Sequence, residues 1–122
     1  MANELTINLK VGYESGNTSD LFELALNLAV SQSTANSYMR RTQVIGASEE
    51  ALVLGDFTSG FIAAVNRDAT QRITIRDSTG GKNMIDMGPG EPCLFRIHGD
   101  SGAPFVIADG GTPTLEYVIV GN

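Results

Sequence analysis

The residues that come nearest to chemistry in this chain are His98-Gly99-Asp100-Ser101-Gly102-Ala103-Pro104. A serine between glycines, with an acid before it and a histidine three positions earlier, has the composition of a loop that presents a nucleophile for acyl transfer. That chemistry needs a base to take the serine proton and a buried carboxylate to hold the base, each brought in from elsewhere in the fold. The chain has a single histidine, and it sits in the same segment as Ser101. The expectation is therefore a polar turn between strands, and no catalytic residue.

The local match is to the nucleophile loop of chymotrypsin-like serine proteases, which supply their histidine far upstream from a second barrel. A chain of 122 residues is too short for two such barrels. Gly80-Gly81-Lys82 hints at a phosphate loop, but the first glycine of that motif falls at Arg76 and Asn83 stands where Ser or Thr is needed. It reads as a hairpin turn. Asp77, Asp86, Glu91, Asp100 and Asp109 are spread over loops and strand ends, without the alternating acids and closing Glu of a calcium hand. Glu49 and Glu50 are adjacent and so diverge in direction, which suits a solvated face better than an acid and base pair. No cofactor and no metal site are expected.

Cys93 is the sole cysteine, which rules out an internal disulfide, and its place in Cys93-Leu94-Phe95 makes it a small buried hydrophobe. Tryptophan is absent, so the platforms used by sugar-binding sandwiches reduce to Tyr13, Tyr38 and Tyr117. Tyr117 alternates with Leu115 and Ile119 and reads as core or interface. The formal charge of −6 leaves no general attraction to phosphate, so nucleic acid is not an expected partner. Six arginines against two lysines favour desolvated contacts with carboxylates or with another chain. No apolar run reaches the roughly 20 residues of a membrane helix. No leader is visible, and synthesis in the cytoplasm is expected.

The elements that must position these residues are strands. Leu5, Ile7, Leu9 and Val11 alternate with polar residues at the period of two of a half-buried strand. Phe22, Leu24, Leu26, Leu28 and Val30 keep the same period, interleaved with Glu23, Ala25, Asn27 and Ala29, although Asp20 with Glu23 imitates a helix cap and Leu and Ala favour helix; strand is preferred to helix there. Tyr38–Ile45 is rich in β-formers, and Ser48–Asp56 is left open between one helical turn and a short strand. Phe61–Val65, Arg72–Arg76 and Met84–Met87 are separated by Asn66-Arg67-Asp68 and by Ser78-Thr79-Gly80-Gly81, two hairpin-like connections that suggest an antiparallel meander. Gly88-Pro89-Gly90-Glu91-Pro92 ends that run. Cys93–Ile97, Pro104–Ala108 and Leu115–Val120 close the series, with Asp109-Gly110-Gly111 turning between the last two. The sum is an all-β chain, a single antiparallel β-sandwich or jelly-roll-like domain over residues 1–122 with about eight to ten short strands.

Several of these pieces recur in order: Ile45-Gly46-Ala47-Ser48-Glu49-Glu50-Ala51-Leu52, Leu54-Gly55-Asp56, Gly60-Phe61-Ile62-Ala63-Ala64-Val65-Asn66, Ile73-Thr74-Ile75, Gly88-Pro89-Gly90-Glu91-Pro92 with Cys93-Leu94-Phe95-Arg96-Ile97, and Leu115-Glu116-Tyr117-Val118-Ile119-Val120. In that order they resemble small β-rich virion proteins encoded by tailed bacteriophages. The resemblance implies a non-enzymatic structural role, foremost as a capsid decoration or cement protein that binds the major capsid protein or another virion protein, and location in the virion. It carries over no site residues. The alternative is a tail- or neck-associated β module that recognises a glycan or host receptor. Capsid symmetry favours a homotrimer, and the first strand and the Leu115–Val120 strand, close to the two ends of the sequence, are both expected near sheet edges that subunits share. The residues that touch a partner are not identified by the sequence.

Overall fold

A computed structural model describes residues 3–14, 21–32, 38–100 and 102–121. Its ten strands are β1 (Asn3–Glu14), β2 (Leu21–Gln32), β3 (Tyr38–Val44), β4 (Glu50–Ala51), β5 (Gly60–Asn66), β6 (Ile73–Arg76), β7 (Asn83–Met87), β8 (Pro92–Ile97), β9 (Phe105–Ala108) and β10 (Thr114–Gly121). The all-β class stands. The chain forms two compact units, Met1–Ala35 and Asn36–Asn122, and each is described by itself.

In the first unit, β1 and β2 pair antiparallel from Asn3 opposite Gln32 to Glu14 opposite Leu21. The helix imitated after Asp20 does not form, although Asp20 itself lies outside the described residues. The reason is the spacing. Apolar residues at every second position share a side only when the chain is extended, whereas a helix would scatter Phe22 to Val30 around its axis.

The second unit is β-sandwich-like, with one antiparallel sheet ordered β3-β10-β5-β8 and another ordered β4-β9-β6-β7. Their alternating strands turn one face each to a common core. Ile62 and Ala64 of β5, Leu115, Tyr117 and Ile119 of β10 and Ile97 of β8 meet Ile73 and Ile75 of β6, Met87 of β7, and Val106 and Ala108 of β9. Ile45, Leu52 and Leu54 join them from the segment around β4. Each large apolar side chain buried in this way contributes about 1.5–3 kcal/mol, and the shared core holds two four-stranded sheets together.

Two expectations are corrected. β5 and β6 do not form a meander: β5 pairs with β8 and β10, while β6 pairs with β7 and β9, so the connection between them crosses from one sheet to the other. Asn66 and Asp68 make the corner. The Asp68 N–H donates to Asn66 Oδ1 at 3.0 Å, and the N–H groups of Thr70 and Gln71 both donate to Asp68 Oδ1 at 2.8 Å. These side-chain acceptors bend the backbone away from a hairpin return. The second correction concerns β10, which lies between β3 and β5 rather than at an edge, its backbone paired on both sides.

β6 and β7 form the expected hairpin through Ser78-Thr79-Gly80-Gly81, with Gly80 at φ 64°, a left-handed conformation that glycine adopts without strain. The segment left open resolves as the two-residue β4 followed by a turn, paired with β9.

Candidate functional site

His98 and Asp100 follow the end of β8, and both side chains are largely exposed. The Asp100 backbone N–H donates to His98 Nδ1 at 3.2 Å, while the Asp100 carboxylate stands 3.8 Å from the same nitrogen. An Nδ1 that accepts a hydrogen bond leaves the ring hydrogen on Nε2, the reverse of the tautomer a general base needs. The acid is also solvated, where an orienting carboxylate would be buried. Ser101 lies outside the described residues.

The other acids are engaged in holding loops and strands. Asp77 accepts the Lys82 N–H at 3.0 Å inside the β6–β7 turn. Asp86 takes two hydrogen bonds from Arg72, at 2.7 and 3.2 Å, and that guanidinium holds its carboxyl below the usual range. Glu91 accepts the Gly88 N–H at 2.6 Å, and Asp109 accepts the Arg72 N–H at 3.0 Å. Among the described residues no group of three His, Cys, Asp or Glu side chains converges as a metal site would require.

Glu49 differs from the solvated residue expected. Its Oε2 receives Arg76 Nη1 at 2.6 Å, and its Oε1 receives both the Thr79 hydroxyl and the Gly80 N–H at 2.7 Å. The Arg76 hydrogen bond, then those of Thr79 and Gly80, lower its pKa. Glu49 therefore clasps the β6–β7 hairpin. It also occupies the Gly80 N–H that a phosphate would have to use, which disposes of the glycine loop as an anion cradle.

Arginines behave the same way. Glu116 on β10 bridges Arg40 on β3 at 2.8 Å and Arg67, just past β5, at 3.2 Å. Arg96 lies 5.0 Å from the centre of the Phe61 ring, within cation–π range. Tyr117 is buried, and its hydroxyl donates to the Val53 carbonyl at 2.5 Å, so it is core rather than a platform. Cys93 is half-buried, and burial pushes its thiol up to about 11.

A cavity of about 260 Å³ opens in the second unit where β6 and β7 of one sheet face β8 of the other. Ile75, Ile85, Phe95 and Ile97 give it apolar walls, and Arg76, Arg96 and His98 also line it. Ordinary small-molecule sites run to about 300–1,000 Å³, so this one suits a small apolar group. Arg76 is committed to Glu49 and Arg96 to Phe61, which leaves both less able to anchor a charged ligand.

Exposed apolar side chains are the more extensive feature. Tyr38 and Val44 lie on the edge strand β3, Met84 on the edge strand β7 and Leu94 on the edge strand β8; Leu9 and Leu28 belong to the β1–β2 ribbon. Sequence reasoning found each of these strands but not the pairing of β1 with β2. Two long alternations of the same sense on either side of a polar turn segment were the available signal. Comparison of the chain with protein-family models, with curated proteins and with solved structures finds no match in any of the three.

Proposed function

We propose that this chain is a non-enzymatic structural protein of a phage particle, most simply a decoration protein that binds the outer face of the capsid shell as a homotrimer and stabilises it. The observation that carries this reading is the placement of large exposed apolar side chains on sheet edges: Tyr38 and Val44 on β3, Met84 on β7 and Leu94 on β8. Edges of this kind are contact surfaces that a protein partner covers. The segments that carry the resemblance to virion proteins are also the ones that build the sandwich core, notably β5, β8 and β10.

The test is incubation of the chain with particles that lack it, followed by sedimentation and a heat challenge. Co-sedimentation in amounts set by the three-fold sites, with particles that resist heating better, is the expected result. A chain that ignores shells and tails overturns the reading.

The cavity between β6, β7 and β8 supports a second reading, a tail- or neck-associated module that recognises a glycan or host receptor. Binding of a polysaccharide by a monomer without affinity for shells would favour it. Substitution of Phe95 in the cavity wall would then weaken that binding.

A further inference from the structure

In the second unit, the register of the sheet β3-β10-β5-β8 defines its outer face. One row across that face runs Tyr38, Val120, Phe61 and Arg96, and the next runs Arg40, Val118, Ala63 and Leu94. Tyr38, Ala63 and Leu94 are exposed and Phe61, Val118 and Val120 half-buried, whereas Ile62, Tyr117 and Ile119, which alternate with them along the strands, are buried in the core. The sheet is therefore apolar on both sides, although a sheet that turns one face to water ordinarily carries polar residues there. Its four strands of six to eight residues cover on the order of 400 Å² in plan, the scale at which an exposed apolar patch marks an interaction site.

Charge on this sheet is as uneven as polarity. Its strands carry Arg40, Arg41 and Arg96 but no lysine, and Glu116 is their sole acid in a chain that has 14. Arg40 and Arg67 both close on Glu116, at 2.8 and 3.2 Å, and the two arginine side chains are 70% and 58% exposed. Two cations on one carboxylate leave a surplus of positive charge, and a guanidinium has five N–H donors, more than Glu116 takes from either.

We infer that this outer face docks a protein surface of complementary kind, apolar at its centre and presenting carboxylates to Arg40 and Arg67. Charge selects that occupant. A second copy laid face to face would set the same surplus of arginine against itself, and Glu116, already shared by two guanidiniums, is the one acid there to answer it. An incoming carboxylate instead completes a set of two cations and two anions, and covering by the apolar surround strengthens each of those bonds. Aromatic and aliphatic residues framed by arginine, without lysine, are also the composition of contact surfaces between proteins. The inference rests on the particle reading above, which makes the acidic partner a protein of the shell and leaves the chain's own association to other surfaces.

The experiment titrates particles that lack the chain with four full-length proteins: the wild type, Arg40→Glu on β3, Leu94→Asp on β8, and a control, Lys82→Glu. The control makes the same change of charge at an exposed position between β6 and β7, in the other sheet. Light scattering gives the mass of each protein, and the near-ultraviolet signal of buried Tyr117 reports its fold. Arg40→Glu and Leu94→Asp should each bind about tenfold or more weakly, with mass and fold unchanged, while Lys82→Glu binds like the wild type. Added salt should weaken the wild type more than Arg40→Glu. If Arg40→Glu fails to fold beside Glu116, Arg40→Gln repeats the measurement without the repulsion and should also bind more weakly. Wild-type binding that both face variants retain overturns this inference and leaves the particle reading standing, as does an equal loss in Lys82→Glu. Face variants that lower the mass of the chain's own oligomer also overturn it and assign the face to a second copy. A wild type that ignores the particles rejects the particle reading and this inference with it.

Discussion

The side-chain amide of Asn66 donates to the carbonyl oxygen of Met87, 21 residues further along the chain, at 3.2 Å. The same Nδ2 reaches the carbonyls of Gln71 at 2.8 Å and Gly88 at 3.2 Å, and Oδ1 accepts the Asp68 N–H. Its backbone is equally occupied, with the N–H donating to Glu91 and the carbonyl accepting from Gly90. A fully buried amide thus ties the end of β5 to the start of β6 and the end of β7, where the chain changes sheets.

Replacing Asn66 with Ala should lower stability by about 2–4 kcal/mol, because several buried backbone groups lose their partner at once. Asn66→Asp should be worse above the carboxyl's pKa, since a carboxylate would then face three carbonyl oxygens, and part of the loss should be recovered on acidification. Urea unfolding of both variants at two pH values checks this. Equal and small losses would remove Asn66 from its role at the corner.

Cys93 should resist alkylation. With its thiol raised to about 11, the thiolate fraction near neutral pH falls by roughly 100-fold from that of an ordinary cysteine. Reaction with iodoacetamide should be slow in the native chain and reach the free-thiol rate in denaturant. A native rate equal to the denatured one would place Cys93 in solvent.

The chain should lose stability in acid through identifiable carboxylates. Arg76 lowers the pKa of Glu49, Arg72 that of Asp86, Arg67 and then Arg40 that of Glu116, and the Thr70 and Gln71 N–H groups that of Asp68. Folded values below the unfolded ones of roughly 4 mean that this stabilisation is present above that range and is lost as pH falls through the folded values. Glu49→Gln should therefore be less stable than the wild type at neutral pH and show a flatter decline in acid. Parallel pH profiles for the two chains would count against the Glu49 clasp.

Gly60 should not tolerate a side chain. It sits at φ 145° opposite Gly121, and a Cβ there would collide with the Val120 carbonyl of β10. Gly60→Ala should cost at least ~1 kcal/mol, read as a drop in melting temperature. An unchanged melting temperature would show that the two strands can separate locally without loss.

What was legible in the sequence was whatever a strand reveals about itself. The alternation of Leu115, Tyr117 and Ile119 gave β10, and the polar glycine-rich Ser78–Gly81 gave the β6–β7 turn. Partners were not legible, because alternation says which face is buried but not which strand lies alongside. Hence β10 was expected at an edge and stands between β3 and β5. Asn66-Arg67-Asp68 has the composition of a hairpin turn, and it becomes a corner through hydrogen bonds to Gln71, Met87 and Gly88 that composition does not encode. Glu49 was misjudged for the same reason, since Arg76 and Thr79 are brought to it by tertiary structure.

In the register of β3 with β10, Tyr38 is paired with Val120. The two extremities of the sandwich-like unit therefore lie side by side, and a brief linker between them would close the unit into a ring. Such a ring could be reopened at the exposed Ser78–Gly80 tip to give a circularly permuted chain with the same core. For display purposes the same adjacency means that cargo fused beyond residue 121 leaves the unit beside the strand on which residue 38 enters.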